Sequence, residues 1–174
     1  PSSKPPLHHL RSLLHEFHDI GQLAALSGYE DATPEMIDEV LKGGASFCED
    51  VLFPLNQSGD AEGVHLEQGA VRTPAGFKEA YARYAADGWT AVSADARYGG
   101  QGLPEMVRFV MEEMLCSANL SFSMYPGLSH GAYSALMSHG SDELKDRFLP
   151  KLIDGTWGGT MCLTEAHAGT DLGI

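Results

Sequence analysis

Apolar residues recur every three or four positions along most of the chain, and this repeat ends at Ile153. Such spacing places the apolar side chains on one face of an α-helix. The longest stretch runs from Met36 to Leu55, and other stretches predict helices at 7–26, 74–86, from 105 through 115, 120–139 and 142–153. Within the stretch at 7–26, Gly21 predicts a break or kink. We therefore expect a mainly α protein whose helices pack as a bundle.

Local signals mark where these helices begin and end. Thr33 before Pro34, and Ser141 before an acidic turn, are residues typical of helix N-caps. Pro54 is expected to kink or end its helix. The polar residues 56–63 then read as a loop, and residues 64–73 as a small hairpin around Gln68-Gly69. Tyr98–Gly102, with three glycines, must form a tight turn between helices.

The pattern changes after residue 155, where residues 156–164 become β-like in composition. A single strand cannot form a sheet by itself. We therefore expect two units, a helical domain at 1–155 and, at 156–174, the first strand of a second, incomplete domain.

Charge and composition exclude some classes of function. Twenty-four acidic against 11 basic residues give a net charge of −13, which disfavours nucleic-acid binding. Three widely spaced cysteines, with no CxxC pair, indicate reduced thiols rather than a disulfide framework. No apolar run approaches the roughly 18 residues of a membrane span. We expect a cytoplasmic protein without membrane insertion.

Two patterns raise the possibility of a metal site. Histidines cluster near the N-terminus, but His15 and His18 are three residues apart, whereas the zinc-binding helix motif needs a spacing of four. A di-iron bundle needs two Glu-x-x-His motifs, and only Glu62-x-x-His65 occurs. We predict no metal site, with a helical metal-binding oxidase kept as an alternative.

The segment Met161–Asp171 combines three features of interest. It begins on the β-like run, it carries the hydroxyls of Thr164 and Thr170 on either side of a turn with Gly169, and it ends in a Gly/Thr/Asp/Gly group. Backbone N–H groups in such a turn are able to bind an anion. The spacing alone favours a polar turn without a ligand.

Three segments together resemble the acyl-CoA dehydrogenase family. Met161–Asp171 is similar to the family's flavin-binding signature, Tyr98–Gly102 to its Y-G-G-x-G loop, and Gly140–Gly155 to its G-[ST]-x-x-x-K-x-x-[FY]-L-P-x-[LIM]-x-x-G segment. They stand in the family's order and spacing, and the resemblance covers essentially the whole chain. Residues 54–56, 73–78 and 124–128 resemble the branch that contains 3-methylmercaptopropionyl-CoA dehydrogenases.

The resemblance implies a helical N-terminal domain followed by the first strand of a middle β-domain, and it implies a set of site residues. The FAD-binding positions it implies are Met161, Cys162, Leu163, Thr164, Gly169 and Thr170. Leu163 and Thr164 would contact the isoalloxazine ring. Thr170, where the family usually has Ser, and Tyr125 would contact the substrate. Ala166 replaces the family's usual Pro.

The implied reaction is α,β-dehydrogenation of an acyl-CoA thioester, in fatty acid metabolism, with 3-methylmercaptopropionyl-CoA as one candidate substrate. A carboxylate removes the α-proton while the β-hydrogen leaves as hydride to the flavin. The family's glutamate base lies beyond residue 174, so no catalytic residue is assigned here and residues 1–174 alone should be inactive. An electron-transfer partner and a homo-oligomer, a dimer or tetramer, are also implied. The alternative is a non-catalytic helical interaction module.

Overall fold

The computed structural model describes residues 4–174, most of which are helical. Within this part of the chain the α-helices are α1 (Leu7–Arg11), α2 (Pro34–Phe47), α3 (Phe53–Glu62), α4 (Phe77–Ala86), α5 (Glu105–His139) and α6 (Asp142–Ile153). Wider π-helical turns follow α1 (Ser12–Phe17) and α2 (Cys48–Leu52), and 3-10 turns lie at Ile20–Ala25, Trp89–Ala91 and Ala96–Tyr98. The predicted mainly α fold is confirmed.

The sequence predicts that Pro54 kinks or ends the helix that follows Thr33, and the helix does not end there. It passes through the π-helical turn Cys48–Leu52 and continues as α3 to Glu62, so the predicted loop at 56–63 is wrong. Pro54 lies in the first turn of α3, where a missing N–H group breaks no hydrogen bond. The N-terminal helix ends at Phe17, before the left-handed residue Asp19 and slightly ahead of the break or kink predicted at Gly21.

The predicted hairpin and both predicted caps are confirmed. Strands β1 (His65–Glu67) and β2 (Ala70–Arg72) pair antiparallel around Gln68-Gly69, both of which have positive φ. The hydroxyl of Thr33 accepts a hydrogen bond from the N–H of Met36, and Ser141 caps α6 in the same way. Helix α4 begins at Phe77 rather than Pro74, because Gly76 adopts a left-handed conformation just before it.

Helix α5 consists of the two predicted helices, separated by a break at Asn119, whose backbone is extended (φ −159°, ψ 91°). The halves, 105–118 and 120–139, fold back on each other. Glu105 Oε1 lies 3.3 Å from His130 Nε2, although a straight helix would hold them about 37 Å apart. Cys116 and Ser123 also meet, with 3.4 Å between Sγ and Oγ.

The hydrophobic core lies between α2, α4 and both halves of α5. Its fully buried members include Ile37, Leu41, Leu52, Val107 and Phe122. A smaller cluster around Leu149 and Ile153 attaches α6 to this body. No helix in the described residues 4–174 is both long and apolar enough to cross a membrane.

The β-like residues 156–164 form no ladder with any other described residue. The one β-bridge among residues 156–174 joins Glu165 and Gly169 around a short turn. A β-strand needs a partner strand to accept its hydrogen bonds, and residues 156–164 have none among the described residues. The predicted boundary between two domains at residue 155 therefore stays a prediction.

Candidate functional site

A groove of about 630 Å³ runs between α4, the second half of α5 and residues 155–160. This volume falls in the range of about 300–1,000 Å³ that is typical of small-molecule sites. Its walls are mostly apolar and aromatic. They comprise Thr73, Phe77, Lys78, Tyr81, Met124, Tyr125, Leu128, Ser129, Gly155, Thr156, Gly158, Gly159 and Thr160.

An aromatic cluster of Phe77, Tyr81, Tyr84, Phe122 and Tyr125 supports the groove from below. Phe122 is the centre of this cluster, because its ring lies 5.8–6.4 Å from each of the other four. Three of the four rings also line the groove. Edge-to-face and tilted contacts at these distances are favourable between aromatic rings, so the cluster sets the shape of the groove floor.

The last stretch of chain that is hydrogen-bonded to the helical body forms one edge of the groove. The Ser129 hydroxyl accepts a hydrogen bond of 3.0 Å from the N–H of Gly159. A Cβ on residue 159 would come within 2.7 Å of the Ala132 Cβ and 2.8 Å of the Leu128 carbonyl oxygen. Only glycine therefore permits this approach, and Thr160 is placed at the groove edge.

Residues 161–170, the predicted FAD-binding segment, continue from that edge and are mostly exposed. Met161 is 68% exposed, Leu163 is half-buried, and Cys162, Thr164, Gly169 and Thr170 are exposed. None of these six lines the groove, whereas the predicted substrate contact Tyr125 does. The structure thus brings Tyr125 next to the start of the segment, but it does not bring Thr170 to the groove.

The turn at the end of the segment uses its own N–H groups. Glu165 and Gly169 exchange two backbone hydrogen bonds of 2.8 Å, with Gly169 at φ +59°. The N–H of Asp171 donates to Ala168, and the N–H of Gly173 donates to the Asp171 carboxylate. These four N–H donors are therefore engaged within the turn, as expected for the polar-turn interpretation.

A second, much smaller cavity of about 40 Å³ lies between the two halves of α5. Arg108 forms ion pairs with Glu105 and Glu112 beside it, and His130 approaches Glu105. Burial, together with the charge of Arg108, lowers the pKa of His130 below its usual value. The cavity is too small for an organic ligand, so these groups join the two helical halves.

The described histidines near the N-terminus do not converge with other candidate metal ligands. Within residues 4–174, no three His, Cys, Asp or Glu side chains lie close enough to hold one ion. His15 Nε2 instead lies 2.9 Å from Asp38 Oδ1, and Arg11 pairs with the same carboxylate. Glu62 ends α3, and its carboxylate accepts a hydrogen bond from the N–H of Ala75.

Sequence reasoning missed the groove residues on α4, namely Phe77, Lys78 and Tyr81. A signal for two of them was present. Aromatic residues stand at 77, 81 and 84, a spacing that places them along one face of a helix. The pattern identifies an aromatic face, but not that α5 lies opposite it.

Comparison with known proteins assigns this architecture to a family. A family model of the acyl-CoA dehydrogenase N-terminal domain matches residues 37–156. The 3-methylmercaptopropionyl-CoA dehydrogenase of Ruegeria pomeroyi is 42% identical over 151 residues, which are 87% of this chain and 26% of that protein. A butyryl-CoA dehydrogenase of Syntrophomonas wolfei is 36% identical over 162 residues, 91% and 26% of the two chains.

A solved structure agrees with this assignment of the fold. Butyryl-CoA dehydrogenase from Megasphaera elsdenii superposes with a TM-score of 0.64 at 23% identity, over 78% of this chain and 33% of that one. The chain spans about a quarter of the length of the curated relatives it matches.

Proposed function

This chain belongs to the acyl-CoA dehydrogenase family, and on that premise we propose that the intact protein is an FAD-dependent enzyme that dehydrogenates an acyl-CoA thioester between its α- and β-carbons. The observation that carries the proposal is a juxtaposition. The groove that contains Tyr125 ends at Thr160, and the flavin-signature segment begins at the next residue, Met161. A substrate in the groove would therefore lie beside whatever that segment binds.

The groove suits the acyl part of such a substrate. Phe77, Tyr81 and Tyr125 offer aromatic surface, and Leu128 and Met124 add aliphatic surface. Burial of an acyl chain against these side chains stabilises the complex by roughly 0.8 kcal/mol for each CH₂ group. The groove thus binds and orients the chain while excluding water from it.

The segment 161–170 suits a flat cofactor that requires hydrogen bonds. Within the described residues, the hydroxyls of Thr164 and Thr170 have no protein partner, and no backbone bond joins 160–164 to the body. Met161, Cys162, Leu163 and Gly169 complete the set of residues that would hold FAD. FAD supplies the two-electron acceptor for this chemistry. The residues of the chain supply contacts and hydrogen bonds that orient it.

The remaining parts of the proposal concern the intact protein. We assign residues 1–155 to the helical domain and 156–174 to the start of a middle β-domain. No residue of this chain is assigned as the base, so residues 1–174 are expected to be inactive by themselves. The intact enzyme is proposed to be a cytoplasmic homo-oligomer that passes electrons to a separate acceptor. It takes an acyl-CoA, with 3-methylmercaptopropionyl-CoA as the first candidate.

Cysteine alkylation tests the cofactor assignment without measuring turnover. Cys162 is exposed, and we expect FAD to slow its reaction with iodoacetamide several-fold in the intact protein relative to the FAD-free form. Cys48 is buried, and burial raises the pKa of its thiol to about 12, so it should react last in both forms. Mass spectrometry of the modified peptides measures each rate, with Cys116 as the internal control. Equal Cys162 rates with and without FAD would contradict the assignment.

A further inference from the structure

We propose that Ser129 is a positioning residue, which fixes the flavin-signature segment against the helix that carries Tyr125. This inference rests on the proposed function, since it concerns how the acyl groove and the flavin segment are held in register. It is carried by one buried hydroxyl and by the last hydrogen bond between the tail and the helical body.

The Ser129 side chain connects the two parts directly. Ser129 is 6% exposed, and its hydroxyl accepts the N–H of Gly159 at 3.0 Å while donating to the Tyr125 carbonyl oxygen at 3.1 Å. A serine hydroxyl has one donor and two acceptor positions, so both bonds form together. The same oxygen therefore bonds to the tail and to the backbone of the groove residue one helical turn earlier.

Close packing allows this contact only when residues 155–159 lie in one position against the helices. Gly159 lies so near Ala132 and Leu128 that a Cβ would overlap both. Gly155, at φ +75°, packs as tightly against Ala85. Between them, the N–H of Trp157 donates to the Lys151 carbonyl oxygen at 3.0 Å. The chain is thus held at several points from residue 155 to residue 159.

Beyond this point the tail makes no hydrogen bond to the described helical body. Within the described part of the chain, no hydrogen bond joins residues 160–174 to residues before 160. The bond from Gly159 to Ser129 is consequently the last one before Met161. Thr164 is five residues further on, at most about 17 Å along an extended chain. A change of direction at Gly159 is carried outward to every residue that would touch the flavin.

Loss of the hydroxyl should therefore affect catalysis more than stability. Alanine favours the helix, so Ser129→Ala costs little helical stability, but it removes the acceptor for the Gly159 N–H. A net hydrogen bond of about 0.5–1.5 kcal/mol corresponds to a roughly 2- to 13-fold change in the local opening equilibrium. Misplacement of reacting groups by about 1 Å is able to cost up to a hundredfold in rate.

The experiment uses the intact gene product and four variants. Ser129→Ala removes the bond, Gly159→Ala forces the tail away with Ser129 unchanged, Ser129→Thr keeps a hydroxyl, and Ser134→Ala is the control on the exposed face of the same helix. Hydrogen exchange of the Gly159 amide, measured without substrate, reports the contact itself. Anaerobic flavin reduction by acyl-CoA reports its consequence.

We expect 2- to 13-fold faster exchange in Ser129→Ala and Gly159→Ala. Their flavin reduction should be about tenfold slower or more. In Ser129→Ala this loss of rate should exceed any change in the KM for acyl-CoA, because the aromatic and aliphatic side chains of the groove are unchanged. Ser129→Thr and Ser134→Ala should resemble the wild type. Unchanged exchange in Ser129→Ala would overturn the proposal, and so would unchanged flavin reduction. If the wild type reduces no flavin, the proposed function fails, and exchange alone still decides whether Ser129 holds the tail.

Discussion

Replacing Asn119 by alanine is expected to lower the free energy of unfolding of the chain by about 2–4 kcal/mol. Asn119 is 1% exposed and performs two tasks at the break in α5. Its Oδ1 accepts the N–H of Phe122 at 3.0 Å, which caps the second half of the helix. Its Nδ2 donates to the Leu52 carbonyl oxygen at 3.2 Å in the neighbouring π-helical turn. Alanine removes the cap and leaves a buried carbonyl group without this partner.

Urea unfolding of the chain measures this loss of stability. One further variant separates the contribution of the helix cap from that of the bond to Leu52, and another serves as a control. Asn119→Ser keeps a capping oxygen but does not reach Leu52, so its free energy of unfolding should lie between those of the wild type and Asn119→Ala. Asn56→Ala, on the exposed face of α3, should change stability by less than about 0.5 kcal/mol. If Asn119→Ala unfolds at the same urea concentration as Asn56→Ala, the break in α5 does not depend on this side chain.

Replacing Phe122 by alanine is expected to cost about 3–5 kcal/mol, the usual range for deleting a buried aromatic side chain. Phe122 is fully buried, and its ring contacts those of Phe77, Tyr81, Tyr84 and Tyr125. The cavity left behind lies directly under the groove, so its aromatic wall loses support. In the intact protein, the KM for acyl-CoA should therefore rise.

Phe109→Ala is the matched control for this substitution. Phe109 lies on the other half of α5 and is 60% exposed, with its ring under the Arg108 guanidinium. We expect its removal to cost less than about 1 kcal/mol in the chain. Equal losses in Phe122→Ala and Phe109→Ala, by urea unfolding, would show that the aromatic cluster does not support the fold as described.

The sequence predicts the fold well where the signals are local. The caps at Thr33 and Ser141, the hairpin and the division of α5 all follow from residue types within a few positions of each other. The error at 56–63 has a tertiary cause. Gly59, a weak helix former, is buried because the Phe77 ring packs where a Cβ would lie, within 2.6 Å. Contacts of this kind stabilise α3 against its local preferences.

The site is predictable only where its residues lie within a continuous sequence motif. The resemblance identifies the region of Tyr125 and the segment 161–170 because each is such a motif. The groove is formed by segments around residues 77, 125 and 159, and no spacing rule brings such distant segments together. The β-like run at 156–164 lacks a partner among the described residues, so a sequence that favours a strand is left without a ladder.

The most direct test of this account is to mix the purified intact gene product with 3-methylmercaptopropionyl-CoA or butyryl-CoA in the absence of oxygen and follow the visible absorbance of the flavin. We predict that the protein carries FAD, that one of these thioesters bleaches the oxidised flavin band, and that the α,β-unsaturated thioester forms in equal amount. A colourless protein, or a flavin that no acyl-CoA reduces, would contradict the account and favour a helical interaction module instead.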